Sequence, residues 1–248
     1  MASTDFSCLY PYSAEEARRR DELDQWRQSH RMNIACKEAI EAAISRDFDG
    51  MHLEADCAKS VIAAYGYKRT GFVLASTLQE LSHDGRFSQS NKAWGKQIYI
   101  PPDKNHNYQY TVGSHPAVLD GFINEFREAY AELGLFEAKH CEADTTELDY
   151  EGKVLVMRPE VFQESYWEPK YQLWYAHDGF GCDPHAIGCS IRCTCLGDGE
   201  HTRWNRTDFI GPIKEKFLPD WAKEQAEQLR AGRQIAEVCD CPGPEMKL

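Results

Sequence analysis

The sequence predicts an α+β protein: a helical N-terminal domain followed by a small antiparallel β-sheet domain with a C-terminal helix. Three observations carry this. Apolar residues recur at three- and four-residue spacing over 14–134, short β-branched and aromatic runs separated by glycine turns fill 153–204, and helical spacing returns after Pro219. Between the first two regions, residues 142–151 hold five acids and no base, which reads as solvated chain. The division is therefore a helical domain over 1–140, a small α+β domain over 141–234 and a tail over 235–248. With 248 residues, 42% of them hydrophobic, the chain can bury a core without a disulfide or metal.

Each element has a local cause. Ser13 followed by Glu16 is a capping box that opens the first helix. Leu23, Trp26, His30, Ile34, Ile40 and Ile44 extend helical spacing into one long helix, or two with a break near Ser29. The run Asp47-Phe48-Asp49-Gly50 is a turn, 55–65 is a helix closed by Gly66, and 68–81 and 88–97 are two further helices. Pro101 and Pro102 stop regular structure, 103–107 is a polar loop, and Pro116 opens a helix through Phe122, Phe126 and Tyr130 to Gly134. Strands are expected at 153–157, 171–176, 190–196 and 202–204, with turns at Asp178-Gly179 and Gly197-Asp198-Gly199. Pro219 starts an amphipathic helix over 220–230.

Charge and composition exclude several classes. Twenty-eight bases against 40 acids leave −12, so no basic face is available for direct nucleic-acid binding, and a basic protein partner fits better. No apolar run is long enough to span a bilayer, and residues 1–6 lack the features of a signal peptide, so a cytoplasmic protein is expected, without membrane contact. In that compartment the ten cysteines stay reduced.

Chemistry could sit in 177–206. Six potential zinc donors, cysteines and histidines, fall within 177–195, but without paired C-x₂-C spacing, so no metal or other cofactor is expected. The alternative is a zinc site on Cys182, His185, Cys193 and Cys195. A second alternative is a thiol nucleophile, with Cys182 near His185 or Cys141 beside His140. No P-loop and no H-E-x-x-H occurs. Without a complete catalytic constellation, the reading is a binding protein. Aromatic residues crowd the C-terminal part, among them Trp167, Trp174, Phe180, Trp204 and Trp221, and aromatics with arginine are what contact hot spots are enriched in. The candidate partner-binding residues are Arg203 and Arg206, with Glu147, Asp149 and Glu151 steering a basic partner.

The runs Tyr10-Pro-Tyr-Ser-Ala-Glu-Glu-Ala-Arg18, Phe48-Asp-Gly-Met-His52, Ile98-Tyr-Ile-Pro-Pro-Asp103 and Ser114-His-Pro-Ala-Val-Leu-Asp-Gly-Phe122 resemble a domain-of-unknown-function family of Firmicutes integrative and conjugative elements. The resemblance continues through Leu173-Trp-Tyr-Ala-His-Asp-Gly-Phe-Gly-Cys182 and Gly199-Glu-His-Thr-Arg-Trp-Asn-Arg206, and so covers nearly the whole chain. It implies a mobile-element accessory protein that binds and inhibits a host defence protein or ribonucleoprotein complex, in the manner of anti-CRISPR or anti-restriction proteins. It implies no catalytic residues. A conjugation adaptor is the further alternative.

Overall fold

In the computed structural model, which describes residues 9–102, 110–143 and 147–239, the chain divides into two units, 1–132 and 133–248. The expected loop over 103–107 and the tail beyond 239 lie outside the described residues.

The first unit is helical. Ser13 accepts a hydrogen bond from the Glu16 N–H at 3.2 Å and opens α1 (Ala14–Arg19). The helix stops where Asp21 takes a left-handed φ of 59°, and α2 (Leu23–Asp47) follows. The break therefore falls at 20–22 and not near Ser29. Ser29 sits inside α2 because it faces the core: with Asn33, Cys36, Ile40 and Ala43 it forms the buried stripe of the helix. Its main-chain oxygen and Oγ accept from the guanidinium of Arg69 at 2.9 and 3.2 Å, and Asn33 accepts from the same group. Arg69, 1% exposed, lies on α3 (Lys59–Glu80). That helix is kinked at Gly66 (φ 78°), where the sequence predicts one helix to end and another to begin.

Ser88 caps α4 (Gln89–Gly95), and Pro116 opens α5 (Pro116–Glu132). Leu74, Leu119, Phe122 and Ile123 are fully buried at the centre of this unit. A polar cluster joins α4 to α5: the Asn91 side-chain amide donates to Asp120 and Asn124, and its oxygen accepts from Arg127 at 2.6 Å.

The second unit is a five-stranded antiparallel sheet of order β4-β3-β2-β1-β5. The strands are β1 (Val154–Met157), β2 (Leu173–Asp178), β3 (Ser190–Cys195), β4 (His201–Asn205) and β5 (Phe209–Pro212). Four match the predicted runs; β5, with Gly211 and Pro212, is an addition that pairs with β1. A four-residue helix, α6 (Pro169–Gln172), leads into β2, and α7 (Asp220–Cys239) runs past the end predicted for it. Strand alternation gives the sheet two buried faces. Leu155, Met157, Trp174, Ala176, Ile191 and Cys193 point to one, and Val154, Val156, Leu173 and Tyr175 point to the other, where Ala222 and Ala226 of α7 cover them. Residues 133–141 belong to this unit: the fully buried Gln172 side chain bonds the Phe136 main chain in both directions, and Cys141 pairs with Ile213.

Candidate functional site

The connection from β2 to β3, residues 179–189, is folded so tightly that side chains are excluded at three positions. The Gly181 N–H donates to the Ser190 oxygen at 3.0 Å. A Cβ on Gly181 would lie 2.2 Å from the Cys189 oxygen, one on Gly179 2.4 Å from the Ser190 oxygen, and one on Gly188 2.6 Å from the Cβ of Phe180. Gly179 also needs φ +120°, which L-residues rarely adopt.

Arg206 braces this connection from behind. Its guanidinium donates to the main-chain oxygens of Gly181 and Cys182, each at 2.9 Å, and of Leu148 at 2.6 Å. The group lies 3.7 Å from the centre of the Tyr150 ring, and its main-chain N–H donates to Cys189 at 2.8 Å. One residue, through its side chain and its main chain, thus ties 148–150 to both limbs of the loop. The front of the loop carries large apolar groups in water: Phe180 is 76% exposed and Ile187 fully so. Acids lie on and beside the same loop. The Glu147 carboxylate is 3.8 Å from the His185 ring, Asp183 accepts from the His185 N–H, and Asp149, Glu151 and Asp178 lie near enough to act on the Cys182 thiol.

The second feature is the β3–β4 end of the sheet face that α7 covers at β1 and β2. Cys195 and Glu200 share a main-chain hydrogen bond, as do Arg206 and Cys189. These fix the alternation of the ladder, so Arg192↔Arg203 and Thr194↔His201 are the closely spaced pairs between hydrogen bonds, with all four side chains on one face. The Thr194 hydroxyl lies between two imidazoles, 2.7 Å from His177 Nε2 and 3.0 Å from His201 Nδ1. Arg192 donates to Asp178 at 2.5 Å. His201, Arg192 and Arg203 are exposed, and no acid among the described residues pairs with Arg203.

The predicted site residues are thus sorted. Glu147, Asp149, Glu151 and Arg206 come together at the loop, whereas Arg203 stands on the sheet face. Arg206 is part of the scaffold that holds the loop. Of the alternative zinc set, Cys182, Cys193 and Cys195 are buried in the apolar layer while His185 is exposed beside Glu147. Among the described residues no group of three or more His, Cys, Asp or Glu is placed to hold a metal ion. As to the thiol pairs, His140 Nδ1 accepts from the Glu137 N–H and the Cys141 thiol donates to the Glu137 oxygen, so neither serves the other. The sequence does not single out Ile187, Arg192 or Thr194.

Burial pushes the thiols of Cys182 and Cys193 up to about 12 and those of Cys141 and Cys195 up to about 11. They are protonated at neutral pH. Because the folded values exceed the ordinary cysteine value of about 8.5, the stability they support is complete below that pH. It is lost as pH rises toward 11–12, where the unfolded chain's thiols ionise first. Urea denaturation at stepped alkaline pH should show a falling midpoint over this window; a midpoint independent of pH would contradict the burial.

Residues 9–131 match a family described as a protein of unknown function, DUF3849. The first unit carries a DUF3849 domain. No curated protein and no solved structure matches the chain. The DUF3849 match ends one residue before the first unit does, so the braced loop and the open sheet face lie outside it. The family likeness read from sequence over nearly the whole chain is thus matched over 9–131. The DUF3849 domain has its own cleft of about 710 Å³, with Tyr12, Trp26, Phe72 and Tyr110 in its walls. Those walls are bonded together: Trp26 Nε1 donates to the Tyr12 oxygen at 2.8 Å, and Tyr110 packs edge-on against Phe72. Among the described residues no helix is long and apolar enough to cross a membrane.

Proposed function

We propose that this chain is a binding protein that acts by occupancy and not by turnover, as a mobile-element accessory protein that blocks a host defence complex. It does so without a metal or other cofactor. The observation that carries the reading is the loop 179–189, where Phe180 and Ile187 project into water from a backbone closely packed at three glycines and bonded by Arg206. Exposed apolar groups on a closely packed support lose little entropy on docking and desolvate fully in a partner's pocket, the combination that makes a contact hot spot. The acids beside the loop, Glu147, Asp149 and Glu151, speed association with a basic-rimmed partner. A defence complex that handles nucleic acid offers such basic surface, and Arg203 adds a polar contact at the sheet. No observation favours the zinc or thiol alternatives.

The test uses cells in which a restriction or CRISPR system lowers plasmid transformation. The chain should restore transformation, and Phe180→Ser with Ile187→Ser should abolish the effect. Each truncation of a central apolar anchor costs about 2 kcal/mol of binding, roughly 30-fold. Thermal stability should hold, since both side chains already face water. A double variant as active as the parent would place the contact elsewhere.

A further inference from the structure

The geometry points to a binding site for a phosphate group on the open β3–β4 face, built from Arg203, Arg192, His201 and His177 around Thr194. This face is separate from the docking loop and shares only Arg203 with the partner contact proposed above.

Arginines placed directly opposite each other at a closely spaced cross-strand pair repel. Asp178 neutralises one of the two, through the Nε of Arg192, and leaves the charge of Arg203 without an acid among the described residues. An anion bridging the pair removes the repulsion. Beside the arginines, the Thr194 hydroxyl holds both imidazoles in fixed orientations, with ring centres 5.2 Å apart. Its hydroxyl has one proton to give and lone pairs to accept with, so the tautomers of the two rings are coupled through it. Tyr175 packs edge-on against His177 and fixes that ring further. With Nδ1 of His201 engaged by Thr194, its Nε2 is the nitrogen left to face a ligand.

The donor set selects the class of anion. A carboxylate offers two oxygens, which one guanidinium fork satisfies; Asp178 already engages Arg192 through its Nε. A phosphate offers three or four oxygens and close to two negative charges at neutral pH, enough for a second fork and an imidazole together. The chain carries −12 overall, so its long-range field opposes any anion. Phosphate held here is held by short contacts.

Inorganic phosphate and phosphoserine are each titrated into the full chain at constant ionic strength, with acetate as control, and backbone amide shifts are followed by NMR. Saturable one-to-one binding is expected for at least one of the two phosphates, with shifts centred on Arg192, Thr194, His201 and Arg203. Tighter phosphoserine identifies a phosphoryl ester as the ligand and tighter inorganic phosphate the free ion. Arg203→Ala should weaken binding by roughly tenfold or more, and Arg203→Lys by less, because lysine keeps the charge and loses the fork. Both substitutions are at an exposed position and leave the fold unchanged. No saturation by either phosphate, equal binding by Arg203→Ala, or acetate binding as tightly as phosphate would each overturn the assignment.

Discussion

Gly179→Ala is expected to destabilise the second unit by about 3 kcal/mol or more, with a fall of roughly 10 °C or more in its unfolding midpoint. Two penalties act together. The backbone at φ +120° is one that alanine adopts only with strain, and the added Cβ would sit 2.4 Å from a main-chain oxygen, where no side-chain rotation relieves the contact. Gly199, also at positive φ but with nothing within 4 Å of its Cβ position, carries only the first penalty and should lose about 1 kcal/mol on the same change. Calorimetry of the two variants separates strain from exclusion, and equal losses would contradict the close approach of the two loop limbs.

Arg206→Ala and Arg203→Ala should behave as opposites in stability. Removing the Arg206 guanidinium strips a donor from the Gly181, Cys182 and Leu148 oxygens and leaves the Tyr150 face uncovered, for an expected loss of about 3 kcal/mol. Arg206→Lys recovers only part, since one ammonium cannot span three carbonyls in the plane that the guanidinium serves. Arg203→Ala removes an exposed side chain beside a like charge and should change stability by less than about 0.5 kcal/mol. Urea midpoints at neutral pH check the pair. Equal, small changes in both would mean that Arg206 does not brace the loop.

The contrast between these arginines shows where sequence reading ends. In sequence they are two basic residues three apart, next to a glycine turn. What separates them is that the partners of Arg206 are main-chain oxygens at 148, 181 and 182, and an oxygen present at every residue leaves no mark in the sequence. The helices of the first unit were legible because their signals are local: Ser13 and Ser88 cap, Gly66 kinks and Pro116 opens. The break expected near Ser29 failed for the opposite reason, because that serine serves a tertiary bond to Arg69 and not a helix end. Strand β5 escaped notice since Gly211 and Pro212 are poor strand formers and only the pairing with β1 makes them one. At the open face, His177, Thr194 and His201 are 17 and 7 residues apart. The β3–β4 register and the irregularity at 176–178 bring them together, and neither follows from composition.

Occupancy without turnover makes its most direct prediction in the stoichiometry of inhibition. A purified restriction or CRISPR effector that the chain inhibits in cells is titrated at a concentration well above the dissociation constant, and residual activity is read against the molar ratio. Activity should fall linearly to an end point at a fixed whole-number ratio, and the effector recovered by denaturation should have unchanged mass. Complete inhibition at ratios far below one chain per effector, or an effector altered in mass, would contradict the account and turn attention from the docking loop to a catalytic centre.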